Sequence, residues 1–65
     1  MNILVNGKAH DVRSHLLSDV LDELGYGDAK IATAVNGNVV PAKARPGTPL
    51  QSDDRLEILA PMQGG

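Results

Sequence analysis

Asn2-Ile3-Leu4-Val5-Asn6-Gly7-Lys8-Ala9-His10-Asp11-Val12 is the stretch that follows Met1. Its first half is β-branched and aliphatic, and Asn6-Gly7 is a dipeptide that tolerates the two positive φ angles of a tight hairpin turn. A strand over residues 1–5 folding back into a second over about residues 8–12 follows from this pattern. A two-residue turn and a loop with one extra bulge residue both satisfy it, so the register stays open here. Along the first strand, alternation sends Met1, Ile3 and Val5 to one face and Leu4 to the other.

Beyond the hairpin the apolar spacing changes from two to three and four. Leu17, Val20, Leu21 and Leu24 fall at i, i+3, i+4 and i+7, one stripe of an amphipathic helix. Asp19, Asp22 and Glu23 take the opposite side, where they serve solubility. Ser14 is a candidate N-cap, with a start one turn later as the alternative, and Gly25 suits the C′ position. A helix of about ten residues is expected, with Tyr26 closing its end against the core.

Residues 31–36 read as a third strand, in which Ala32 and Ala34 alternate with Ile31, Thr33 and Val35 before a second turn at Asn36-Gly37. Val39-Val40 makes a short return strand that Pro41 stops. Residues 42–49 contain Pro46, Gly47 and Pro49 and read as an ordered loop over the surface. After a polar turn at Asp53-Asp54, residues 55–60 form a last strand with Leu56 and Ile58 on one face.

One helix buries its stripe by packing across a sheet, so this order implies a two-layer α+β domain. The last strand is expected beside the first at the centre. The result is a β-grasp (ubiquitin-like) roll, a mixed sheet of four to five strands packed on one main helix. Residues 1–61 are assigned to that domain and residues 62–65 to a flexible tail ending Gly64-Gly65.

The chain has 65 residues, enough for one small core, built here from 8 Leu, 6 Val, 3 Ile, 2 Met and 7 Ala with Tyr26 as the sole aromatic. The lack of Phe and Trp removes the stacking platforms of single-strand nucleic-acid binding. Net charge is −2 and the six cationic residues are scattered, so no basic stripe marks a nucleic-acid partner. No apolar run approaches the roughly 20 residues that span a bilayer, and no cationic leader precedes Ile3-Leu4-Val5, so a cytoplasmic protein is expected.

Catalytic templates find little support. Ser14, His10, His15 and Asp11 are close in sequence, but on a hairpin strand and its exit they imply no pocket for a hydrolytic triad. With no cysteine, two histidines fall short of a zinc site. No glycine pattern matches a phosphate-binding loop, so no bound cofactor is expected. What remains is Gly64-Gly65. Without β-carbons it can enter a narrow channel in another protein, leaving its carboxylate open to attack on phosphorus.

Asn2-Ile3-Leu4-Val5-Asn6-Gly7, the helix ending Leu24-Gly25, Ala34-Val35-Asn36-Gly37-Asn38-Val39-Val40-Pro41, the run from Leu50 through Asp54-Arg55-Leu56-Glu57-Ile58-Leu59, and the final Gly64-Gly65 together resemble the ThiS sulfur carriers of thiamine biosynthesis. The resemblance spans nearly the whole chain. The family commonly has Gly-Asp where this chain has Asp53-Asp54, a basic residue at Ala42, and a glycine run where Gln63 stands.

The resemblance implies a carrier rather than an enzyme. A ThiF-like adenylating enzyme would use ATP to activate the Gly65 carboxylate, a sulfur donor system would convert it to a thiocarboxylate, and thiazole synthase would receive the sulfur. Gly64, Gln63 and Met62 would enter the partners with Gly65. Molybdopterin synthase small subunits share the fold and tail, so transfer to that or another thiocarboxylate pathway is one alternative, and conjugation as a ubiquitin-like modifier another. Leu4 and Leu59, on the sheet face away from the helix, are the expected docking patch.

Overall fold

Both Asn-Gly pairs turn as tight hairpins in the computed structural model, which describes residues 1–27 and 29–60. Asn6 and Gly7 adopt φ of 49° and 84°, and Asn36 and Gly37 50° and 85°, the mirror-image turn whose twist matches right-handed strands. Strand β1 (Asn2–Val5) pairs antiparallel with β2 (Lys8–Asp11), Val5 opposite Lys8 and Asn2 opposite Asp11. The turn is therefore the two-residue form, without a bulge. Strand β3 (Ala32–Val35) pairs in the same way with β4 (Asn38–Val40), Val35 opposite Asn38.

Strand β5 (Arg55–Leu59) runs between the hairpins, parallel to β1 and antiparallel to β3, so the sheet order is β2-β1-β5-β3-β4. This is the mixed β-grasp sheet expected from the sequence. Ile3 and Val5 of β1 and Leu56 and Ile58 of β5 are buried against Leu17, Val20 and Leu21 of the single helix, with Val12 and Leu50 filling the edges. Such side chains contribute about 1.5–3 kcal/mol each when fully buried, and their summed area is what stabilises a core with no large aromatic group.

Helix α1 (Leu17–Glu23) is shorter than expected, and Ser14 does not cap it. The first residue, Leu17, instead donates its N–H to the Thr48 carbonyl at 2.8 Å, while Leu50 donates to the His15 carbonyl at 2.7 Å. A strand-like segment distant in sequence thus sets the helix start, which no local capping signal encodes. At the other end Gly25 (φ 93°) and Tyr26 donate to Asp22 and Leu21 carbonyls at 3.1 and 2.8 Å, a complete Schellman motif, and Tyr26 packs on the core.

Two further expectations are corrected. Glu23 is more than a solubilising residue, because its carboxylate accepts the N–H groups of Arg13 and Ser14 at 2.9–3.1 Å. Residues 42–49, expected as an ordered loop over the surface, contain a 3-10 helix, Ala42–Gly47, lying against α1. Its i→i+3 bonds, Ala44 N–H to Pro41 and Thr48 N–H to Arg45, leave Pro46 at a position where a missing N–H breaks nothing.

Candidate functional site

The expected chemistry lies downstream of β5, so the site begins with what holds that strand. Strand β1 ends at Val5, which pairs with Leu56, whereas β5 continues to Leu59. The peptide groups of Ile58 facing β1 would be left without a ladder partner. The Asn6 carboxamide takes that place: its Oδ1 accepts from Ile58 N–H at 2.8 Å and its Nδ2 donates to the Ile58 carbonyl at 3.1 Å. On the other flank Asn36 Oδ1 accepts from Arg55 N–H at 2.9 Å, and Asn36 Nδ2 donates to Asp54 Oδ1 at 3.0 Å. Both turn asparagines thus tolerate positive φ and brace the central strand with their side chains.

The face of the sheet away from α1 is open. Leu4 lies on it opposite Ala9 and Arg55, and is half-buried. Leu59, 73% exposed, lies opposite Ala32, and Val39, 79% exposed, lies opposite Ala34. With Glu57 these form a shallow depression of about 240 Å³ at the downstream end of β5. Leu4 borders a second depression with Asn6, Gly37 and Arg55.

The two leucines singled out from the sequence therefore share a face but do not touch a common centre. Leu4 is level with Arg55, four residues from Leu59, about 13 Å along an extended strand. Glu57 occupies the outward position between them, with Arg55 beside Leu4. Val39 is the apolar neighbour that the sequence reading missed; the two-residue turn at Asn36-Gly37, which sets it opposite Ala34, was the available signal. Met62, Gln63, Gly64 and Gly65 lie outside the described residues.

His10, Asp11 and His15 are exposed, and the described residues contain no group of three or more metal-ligating side chains. Among them no helix is long and apolar enough to cross a membrane.

The model of the ThiS family matches residues 3–65. The crystal structure of a thiamine biosynthesis protein (ThiS) from Geobacter metallireducens is similar over 100% of both chains, at 30% identity and a TM-score of 0.84. A solution structure of a thiamine biosynthesis protein from the same organism is similar over 100% of this chain and 88% of that one, at 29% identity and a TM-score of 0.79. No curated protein matches the chain.

Proposed function

The chain belongs to the ThiS family of sulfur carriers, and from that membership we propose that it acts as a recyclable co-substrate whose working group is the Gly65 carboxylate. The observation that carries this reading is the pairing of a Gly64-Gly65 end with a central strand held almost to its last residue, by the Asn6 amide at Ile58 on one flank and by β3 on the other. A carboxylate is a poor electrophile. A ThiF-like adenylating enzyme would bring ATP so that a Gly65 oxygen attacks the α-phosphorus, the α–β bridging bond breaks and pyrophosphate leaves. A sulfide-level nucleophile from a sulfur donor system then adds to the acyl carbon, AMP departs, and a C-terminal thiocarboxylate remains. Thiazole synthase would take that sulfur for the thiazole of thiamine.

The chain's own contribution is presentation. The absence of β-carbons at Gly64 and Gly65 suits a narrow channel, and the open face offers the partner a docking surface around Leu59, with Leu4 at its far end. The nucleotide belongs to the partner; the chain binds no cofactor of its own.

Intact mass after incubation with a ThiF-like enzyme, ATP and a sulfur source tests the reading. Replacement of one oxygen by sulfur, lost on deletion of Gly65, is the expected result. A persistently unmodified chain overturns it. Covalent conjugates to other proteins would favour the modifier alternative, and thiocarboxylate formation without transfer to thiazole synthase a different sulfur acceptor.

A further inference from the structure

Asn6 does more than turn the first hairpin. Its φ of 49° suits the turn, and Gly or Asp would also accept that conformation. What the turn does not require is the carboxamide bonding both main-chain groups of Ile58, accepting its N–H at 2.8 Å and donating to its carbonyl at 3.1 Å. A primary amide offers the acceptor and donor of a peptide group, so Asn6 extends β1 by one rung after its backbone has turned away. Ile58 is 7% exposed, and on its other flank it is opposite Thr33 of β3. The strand is therefore held from both sides one residue before Leu59.

That point is the root of the tail. Six residues, 60–65, separate Leu59 from the carboxylate and span at most about 20 Å. A partner gripping the open face meets the carboxylate at a position set by where β5 stops being held. Without the Asn6 bonds the last two residues of β5 are held on the β3 flank alone, Leu59 opposite Ala32, and each residue by which the strand end frays shifts that position by about 3.3 Å.

We propose that Asn6 is a positioning residue for activation of the C-terminal carboxylate: its bonds to Ile58 fix the root of the tail, so the carboxylate meets the partner's nucleotide in register with the docked face. The inference rests on the sulfur-carrier reading above. Asn6 itself has no part in the chemistry.

The test uses Asn6→Gly, which keeps a turn-competent backbone and removes the amide, and Asn6→Asp, which keeps the acceptor for Ile58 N–H but sets a carboxylate against the Ile58 carbonyl. Each is assayed with a ThiF-like enzyme for adenylation rate and binding, and by amide hydrogen exchange. A displacement of this size costs about tenfold or more in kcat. The expected result is such a loss in Asn6→Gly, a smaller loss in Asn6→Asp, partner Kd within about twofold of the parent, and faster exchange at Ile58. Unchanged kcat in both variants overturns the proposal, as does parallel loss of kcat and affinity, which would make Asn6 a contact residue. Failure of the parent chain to be adenylated at all overturns the carrier reading instead, and the positioning role with it.

Discussion

Arg45 reaches from the 3-10 helix to Thr33 at the centre of β3: its Nε donates to Thr33 Oγ1 at 3.1 Å while a terminal nitrogen donates to the Ile31 carbonyl at 2.7 Å. Thr33, the one buried polar side chain among the described residues, passes its own proton to the Val40 carbonyl at 2.8 Å. This three-membered chain couples the 3-10 helix to the β3–β4 hairpin. Thr33→Val keeps the shape but removes the acceptor of the Arg45 Nε–H and the side-chain bond to the Val40 carbonyl. It should destabilise the fold by about 1–3 kcal/mol, and urea denaturation measures it. Arg45→Lys should not substitute well, since an ammonium lacks the planar fork that serves two acceptors at once.

Glu23 makes stability depend on pH. The backbone N–H of Arg13 and then that of Ser14 hold its carboxyl below its ordinary value, against a small opposing effect of burial. A depressed folded value means that the stabilisation is present above the unfolded value and is lost as pH falls through the folded one. Glu23→Gln should therefore lower the urea midpoint at pH 7, with the gap to the parent closing as pH falls below the ordinary carboxylate range. A gap independent of pH would assign the effect to packing.

Much of this fold is written locally. Asn6-Gly7 and Asn36-Gly37 specify their turns through backbone preference, and Leu17, Val20 and Leu21 specify the buried stripe by spacing. What escaped the sequence depends on partners far along the chain. The helix start is set by Thr48 and Leu50, and Glu23 acquires its role from Arg13 and Ser14 across a loop. Asn6 gains its second function because β5 outlasts β1, a fact of the parallel register alone. The same register separates Leu4 from Leu59, which alternation could place on one face but not at a distance.

Asp53 marks a place where the backbone carries strain. It adopts φ of 71° in the turn before β5, with its N–H donated to the Asn2 carbonyl at 2.7 Å. Aspartate tolerates this left-handed region better than most residues but less well than glycine. Gly at the same position retains the N–H bond and removes the steric penalty, offset in part by a more flexible unfolded chain. Asp53→Gly should raise stability by about 0.5 kcal/mol, read as a higher urea midpoint at unchanged slope; a lower midpoint would show that the aspartate side chain stabilises the turn.

The open face yields a prediction about geometry as well as affinity. Leu59 and Val39 are both largely exposed, so Leu59→Glu and Val39→Glu should each leave the unfolding free energy in urea within about 0.5 kcal/mol of the parent. If this face docks the adenylating enzyme, a charge placed in its apolar centre should weaken binding about tenfold by titration calorimetry. The two residues border one depression and should therefore couple, the double variant losing less than the sum of the singles. Leu4 lies about 13 Å away beyond Glu57, beside Arg55, so Leu4→Glu should combine additively with Leu59→Glu. Its half-burial adds a stability loss that the other two lack. Unchanged affinity in Leu59→Glu removes this end of the sheet from the interface, and strong coupling between Leu4 and Leu59 would contradict the separation that the β1–β5 register imposes.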